Sequence, residues 1–332
     1  MTARRSTGTK QVAKALWYVS PGVAEIRTQA VGAPVAGEAQ VRTVFSGLSR
    51  GTERLVLAGQ VGPSEWQRMR APLQEGNFPF PVKYGYCAVG VVNAGPEKLI
   101  GKTVFCLHPH QDWFNVPVER LTVVPDVVPA RRGTLAANME TALNAMWDAG
   151  VGPGDRIVVV GGGIVGLLVA HLAGRLPGAE VTLVDVDAGR GPLAKQLGVR
   201  FALPKDAIGE ADVVFHTSAS AAGLDTAIKL TGEEGSIVEM SWYGDHKVAV
   251  ELGGAFHSRR LKLVSSQVGK ISPTRRARWD YGRRLEAALK LLEDLRLDVL
   301  VAETVPFAEA AKRVPEILAA GATGIAPVLS YE

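Results

Sequence analysis

Hydrophobic and polar positions follow two different rhythms along this chain. From Ala15 to about Pro125, short runs of period two are separated by Gly and Pro. Gln40–Val44 alternates as a half-buried strand does, and Gly90–Val92 and Lys102–Phe105 read alike. From about Leu135 the rhythm changes. Asn138 to Ala149 reads as a helix, closed by Gly150 and the turn Gly152-Pro153-Gly154-Asp155. Strand and helix then alternate through 156–160, 166–176, 180–184, 191–197, 212–215, 223–230, 236–240 and 261–264. That alternation predicts a parallel sheet covered by helices on both faces. A long helix is expected over Arg276–Leu295, patterned by Leu285, Leu289 and Leu292. A strand-helix-strand tail follows at 301–305, 307–319 and 325–329.

The expected fold class is α/β, with a Rossmann doubly wound parallel sheet inserted in a β-rich domain. The domain limits read 1–137 for the first part, 138–270 for the Rossmann unit and 271–332 for the returning segment. With 332 residues the chain is long enough for two domains, and 47% hydrophobic against 21% charged residues is a globular composition.

One motif carries chemistry in its required context. The β-branched run Ile157-Val158-Val159-Val160 leads into Gly161-Gly162-Gly163-Ile164-Val165-Gly166, a G-x-G-x-x-G that opens a helix. Gly161 permits a tight turn, Gly163 lets backbone approach a pyrophosphate, and Gly166 lets the helix pack closely on the strand. The unpaired N–H groups at the helix start then face the phosphates. The second strand ends in Asp185, where a carboxylate accepts hydrogen bonds from ribose hydroxyls and repels a 2′-phosphate. NAD is therefore the expected cofactor, with Arg190 and Thr141 completing the candidate cofactor-binding set. A methyltransferase also carries a glycine-rich first turn, but its usual acidic residue before the glycines is here Val160.

Charge and cysteine content narrow the classes. A net charge of +4 is mild. It favours a small, anionic substrate and gives no nucleic-acid footprint, with the Arg259–Lys262, Arg275–Arg278 and Arg283–Arg284 clusters read as solvated faces. Two cysteines, Cys87 and Cys106, exclude a disulfide framework and indicate a reducing compartment. Met1 to Lys14 is basic and polar, without the apolar segment of a leader. The apolar stretch Ile157–Gly174 is broken by four glycines, so no membrane span is expected and a cytoplasmic protein is.

The order of β-rich domain, Rossmann domain and returning tail resembles the medium-chain dehydrogenase/reductase superfamily, the alcohol dehydrogenase and quinone reductase fold. The resemblance rests on Ser46-Gly47 with Gly51-Thr52-Glu53, on Gly85–Val92, on Gly101-Lys102-Thr103-Val104, and on the turn at 152–155. It implies a GroES-like catalytic domain, a hydride transferred between NAD(H) and an alcohol or ketone, and a homodimer paired through the Rossmann sheet edge. Ser49-Arg50-Gly51-Thr52-Glu53 with Lys83-Tyr84-Gly85-Tyr86 is similar to the zinc-lacking branch that includes bacteriochlorophyllide hydroxyethyl dehydrogenases.

The resemblance also locates what differs. Where the zinc enzymes place their ligands, this chain has Arg50 or Ser49, then Tyr86, then Ala137. No catalytic metal is expected, and two cysteines cannot build a four-cysteine structural site. His108 and His110 form an H-x-H pair with no third ligand nearby in sequence. Without a metal, hydrogen-bond donors must stabilise the developing oxyanion. The resemblance offers Thr52 at the proton-relay position, Tyr86 in place of a zinc-binding His, and His108 beside the substrate pocket, with Arg50 and Lys83 adding positive charge. A His of near-neutral pKa is a credible proton donor. The long stretch Gln60–Asn77 reads as a short helix and loop over the cleft, contributing Trp66, Arg68 and Arg70. Two alternatives stand beside a dehydrogenase: an enone or quinone reductase using NAD(P)H, and a non-catalytic dinucleotide-binding protein.

Overall fold

The computed structural model describes residues 11–332, so the first ten residues of the polar start lie outside it. The chain divides into two compact units, a β unit of residues up to Leu135 with Val301–Glu332, and an α/β unit of Ala136–Leu300.

The β unit opens with β1 (Gln11–Ser20), β2 (Val23–Val31) and β3 (Glu38–Gly47), followed by α1 (Thr52–Leu57). Short strands β4 (Glu75–Gly76) and β5 (Val82–Lys83) precede β6 (Ala88–Ala94), β7 (Thr103–Cys106), β8 (Trp113–Pro117) and β9 (Thr122–Val123), and α2 (Ala130–Gly133) closes this part. One sheet runs β2-β1-β5-β4. Strand β3 is the hub of the other, pairing antiparallel with both β6 and β8. Its inward side chains meet those of β6, β7 and β8 in a core of Val41, Val92, Val104, Phe114 and Val116. Each such apolar side chain, fully withdrawn from water, contributes roughly 1.5–3 kcal/mol.

The α/β unit begins with α3 (Ala136–Ala149) and continues β10 (Arg156–Val160), α4 (Ile164–Ala173), β11 (Glu180–Val184), α5 (Gly191–Leu197), β12 (Arg200–Ala202), β13 (Ala211–His216), α6 (Ala221–Leu230), β14 (Thr231–Glu239) and β15 (Lys262–Ser265). The strands lie in the order β12-β11-β10-β13-β14-β15, and every neighbouring pair is parallel. Strand β10 sits at the centre, which explains its unbroken β-branched run, since Ile157–Val160 are buried on both faces. The expected fold class is the one found. Beside β10 the strand order reverses, and ligands bind at such a point, outside the carboxyl ends of the strands.

Three expectations are corrected here. The helix foreseen over 276–295 is α7, Tyr281–Leu291, because the Asp280 side chain accepts from Arg283 N at 2.8 Å and caps the helix there. The segment 271–300, expected to return with the first domain, instead packs on the α/β unit. Arg284, read as part of a solvated face, is buried on α7 and donates to Glu140 Oε1 at 2.8 Å, Asn144 Oδ1 at 2.6 Å and the Val268 carbonyl at 2.6 Å. These bonds clamp α7 to α3. The return to the β unit is confined to β16 (Thr304–Pro306), α8 (Ala310–Leu318) and β17 (Val328–Ser330), with β17 pairing antiparallel to β3. Among the described residues, no helix is long and apolar enough to cross a membrane.

Candidate functional site

In the α/β unit, β10 runs straight into Gly161, whose φ of +111° is the left-handed backbone a glycine allows. The close packing expected of Gly166 is literal, because a Cβ there would lie 1.9 Å from the Gly161 carbonyl oxygen. At Gly163, the N-cap of α4, a Cβ would meet nothing within 4 Å, so the helix start opens onto free space. Asp185 stands beside this turn. Its Oδ2 accepts from Gly162 N at 2.5 Å and its Oδ1 from Asp187 N at 2.8 Å, which aims the carboxylate while leaving further lone pairs. Arg190 reaches the same corner, with Nε 3.2 Å from Asp187 Oδ2. Gly161, Gly163, Gly166, Asp185 and Arg190 therefore converge. Thr141 lies on α3 with its hydroxyl donating to the Ala137 carbonyl at 2.9 Å, which ties it to its own helix.

In the β unit, Tyr86 and Thr52 come together around Ser49. The Tyr86 phenol donates to Ser49 Oγ at 2.5 Å and also hydrogen-bonds Thr52. Burial, with Cys87 next to it, pushes the Tyr86 pKa well above the usual phenol value, so the ring keeps its proton. Arg50 does not join them. Its guanidinium donates to the backbone carbonyls of Ala322, Thr323 and Gly324, so it pins the returning segment rather than facing a substrate. Lys83 is also taken, bonded to Glu75 and, at 2.6 Å, to Gln111 Oε1.

His108 departs from expectation in its charge. The ring is buried, stacked on Phe114 with centroids 3.7 Å apart, and its Nδ1 lies 2.9 Å from the Pro109 carbonyl. Burial first, then the Lys83 charge, lowers its pKa to about 3. A near-neutral proton donor is therefore not what the fold makes of this residue. At neutral pH it is an uncharged imidazole.

The H-x-H pair diverges. While His108 turns to Phe114, His110 enters a buried polar line that sequence reading missed. His110 Nε2 is 2.9 Å from Glu53 Oε2, and its Nδ1 is 2.7 Å from Ser46 Oγ. Tyr18 donates to Glu53 Oε2 at 2.6 Å, Ser49 N donates to Glu53 Oε1 at 2.8 Å, and Tyr331 OH lies 2.8 Å from Ser46 Oγ. Glu53, His110 and Ser46 are all fully buried. The only signal in sequence was Glu53 within the Gly-Thr-Glu motif, and nothing local points from it to His110, 57 residues away.

The stretch Gln60–Asn77 holds a 3₁₀ turn at Pro63–Glu65 and is bonded mainly to itself. Trp66 Nε1 donates to the Val61 carbonyl at 2.8 Å, and Arg70 donates to Asn77 Oδ1 at 3.1 Å and to the Gln74 carbonyl at 3.2 Å. Trp66 and Arg70 thus serve the loop's own shape, while Arg68 is exposed.

The donor set does not fit catalytic zinc at the positions where the resemblance would place it. Ser49 and Tyr86 are a hydroxyl and a proton-retaining phenol already bonded together, and Ala137 has no donor atom. Both cysteines are buried, and among the described residues no group of three or more His, Cys, Asp or Glu side chains is placed to hold a metal ion.

No family model matches the chain. It is 25% identical over 328 residues to D-guloside 3-dehydrogenase of Escherichia coli, covering 89% of this chain and 93% of that protein. It is 26% identical over 152 residues to D-xylulose reductase A of Aspergillus niger, where the match spans 43% of this chain and only 42% of the reductase. Among solved structures, L-idonate 5-dehydrogenase of Escherichia coli superimposes with a TM-score of 0.80 at 15% identity, over 97% of this chain and 99% of that one. A Sinorhizobium meliloti protein described as a zinc-binding dehydrogenase, bound to NADP, gives 0.76 at 17% identity over 97% and 100%. An Escherichia coli alcohol dehydrogenase complexed with NADH gives 0.75 at 15% over 96% and 99%. The fold is the one that these solved dehydrogenase structures share.

Proposed function

We propose that this protein is an oxidoreductase that transfers a hydride between NAD(H) and an alcohol or ketone, without a catalytic metal. The observation that carries the reading is the turn at Gly161–Gly166, with α4 set against β10 so closely that Gly166 admits no side chain, and Asp185 aimed beside it. Relatives named as a D-xylulose reductase and a D-guloside 3-dehydrogenase, and similar folds bound to NADH or NADP, support the redox class. Asp185 favours NAD, since a 2′-phosphate would approach a carboxylate already fixed by two backbone N–H groups.

The nicotinamide ring, when bound, supplies a hydride donor or acceptor at C4. The chain's own residues do the rest. Gly161 makes the turn, its own N–H bonded to the Val184 carbonyl at 2.8 Å, while Gly163 and the first turn of α4 hold the diphosphate by N–H groups and dipole, and Asp185 accepts from ribose hydroxyls. Tyr86, kept protonated by burial, holds the proton at its phenol oxygen, and Ser49 and Thr52 orient that oxygen. With its hydrogen turned from Ser49 to the substrate, a neutral donor of this kind can serve an oxyanion in place of a metal. The finer similarity to the zinc-lacking bacteriochlorophyllide branch rests on the Ser-Arg-Gly-Thr-Glu and Lys-Tyr-Gly-Tyr motifs, and the long Gln60–Asn77 loop argues for a different substrate.

The test is a scan of NADH oxidation against ketones, aldehydes and enones, repeated with NADPH and after chelation. Turnover of ketones with NADH that survives chelation is expected. Loss of turnover on chelation, or a preference for NADPH with enones, would replace this reading with a zinc enzyme or an enone reductase. The exposed edge strand β15 suits pairing of two copies, and sedimentation showing only monomer would remove the homodimer.

A further inference from the structure

A second polar line lies at the carboxyl edge of the α/β sheet, beside the glycine turn, where a Cβ on Gly161 would lie 2.8 Å from Ser218 N, and the dinucleotide reading gives its side chains no role. Strand β13 ends in His216 and the neighbouring β14 ends in Glu239, so parallel pairing sets the two side by side. His216 Nδ1 is 2.8 Å from Glu239 Oε2, and His216 Nε2 is 2.7 Å from Ser218 Oγ. A carboxylate only accepts, so Nδ1 carries the proton and Nε2 accepts from the Ser218 hydroxyl. Glu239 is fixed further by Ser241 N, which donates to Oε1 at 2.8 Å, and by the Tyr243 hydroxyl at 3.2 Å from Oε2. Burial raises its pKa, but the His216 contact first and the Ser241 bonds after it outweigh that and hold the carboxyl below the usual range, and so ionised.

The backbone around Ser218 is built for access. Strand β13 passes through a turn at 217–220 into α6, which places Ser218 between a strand end and a helix start. Ala219, immediately after it, has φ of +51°, left-handed backbone in a residue with a Cβ, which costs about 1 kcal/mol or more. Gly223, in the first turn of α6, leaves room for the serine, because a Cβ there would lie 2.0 Å from Ser218 Oγ and 2.8 Å from His216 Nε2. Ser218 is half-buried, with His216 fully buried behind it. Ser220 Oγ accepts from Gly223 N at 3.1 Å and so donates its own hydrogen to Ser218 Oγ at 3.0 Å.

We propose that Ser218, His216 and Glu239 form a nucleophile–base–carboxylate triad that hydrolyses small carboxylic esters, a second activity carried by the α/β unit alone. Ser218 Oγ bonds to the acyl carbon while His216 Nε2 takes the hydroxyl proton. The ester C–O bond breaks, and the leaving alcohol carries that proton away. Water then attacks the acyl carbon, gives one proton to His216, and releases the acid as the proton returns to Ser218. Nothing is oxidised or reduced, and the sum is ester plus water to acid plus alcohol. In this proposal the N–H groups of Ala221 and Ala222, which precede the first hydrogen bond within α6, donate to the acyl oxygen as it gains charge.

The experiment uses the full chain with p-nitrophenyl acetate, and in parallel a fluorophosphonate probe followed by peptide mass spectrometry. Hydrolysis above the protein-free rate, with the probe on Ser218, is expected. Ser218→Ala should lower the rate about 100-fold or more, and Glu239→Gln should lower it while leaving the fold intact by circular dichroism. Hydrolysis unchanged in Ser218→Ala, labelling confined to another serine, or no hydrolysis at all would each overturn the proposal. NADH binding is followed by fluorescence on the same sample. Binding without hydrolysis removes only the triad, and hydrolysis without binding removes only the dinucleotide reading.

Discussion

The molecule contains the same three residue types in the same hydrogen-bonded order twice, once in each unit. In the β unit the line is Glu53, His110 and Ser46. In the α/β unit it is Glu239, His216 and Ser218. Distances differ by about a tenth of an ångström, and yet the surroundings give the two lines opposite character. The first is closed at both ends, because Tyr18 caps the glutamate and Tyr331 caps the serine, and its members are shut away from water. The second ends on a half-buried serine in a turn between strand and helix. A satisfied buried network rigidifies a core, whereas one that ends at an open sheet edge can act on what arrives there. Bond geometry alone does not make a site.

The largest expected effect separates the two lines by stability. Glu53→Ala leaves His110 and the Tyr18 hydroxyl without their shared acceptor deep in the β unit. It should cost roughly 3–5 kcal/mol, read as a lowered urea midpoint. Glu239→Ala, at the sheet edge, should cost about 1–2 kcal/mol by the same measurement. Equal losses would erase the distinction between closed and open.

Tyr86→Phe extends the contrast to the β unit's own open group. Removing only the phenol oxygen should lower ketone turnover roughly 100-fold or more, with stability changed by about 1 kcal/mol. Unchanged kcat would return Tyr86 to packing. At the glycine turn, Asp185→Ala should weaken NADH by about 10-fold and narrow the gap to NADPH, as followed by calorimetry. A gap that stays unchanged would mean that the carboxylate serves only the two backbone N–H groups it now binds.

The last effect is spread over pH, and each unit contributes one histidine to it. His108 in the β unit and His171 in the α/β unit are both held at about 3 by burial. The unfolded chain takes up these protons near pH 6.5, so it binds more protons than the folded chain between about 6.5 and 3. Stability is therefore fully present above pH 6.5 and falls below it, by about 1.4 kcal/mol per pH unit for each histidine. His108→Asn should flatten that slope in denaturation measured between pH 4 and 7. An identical slope would locate the titration elsewhere.

Legibility from sequence followed the range of the interactions. The rhythm of 156–264 gave the strands and helices of the α/β sheet nearly as they stand, because each is set by neighbours within a few residues and by burial on both faces. The boundaries that failed were those fixed from outside. Asp280 starts α7 later than its leucines suggest, and Arg284 holds that helix to α3 by reaching Glu140 and Asn144, far upstream. The candidate catalytic residues divided for the same reason. Tyr86 and Thr52 meet, while Arg50, a cation that looked free for a substrate, is drawn to three carbonyls more than 270 residues away.

By itself the amino-acid sequence determined the glycine turn, the carboxylate on the second strand and the alternating architecture around them, since these depend on steric freedom and periodicity at short range. Only the tertiary structure decided which histidine meets which glutamate, across 57 residues in one unit and 23 in the other, and whether the serine beyond is sealed or open. Proton affinity depends on what the fold packs around a group, and that packing has no local trace in the chain.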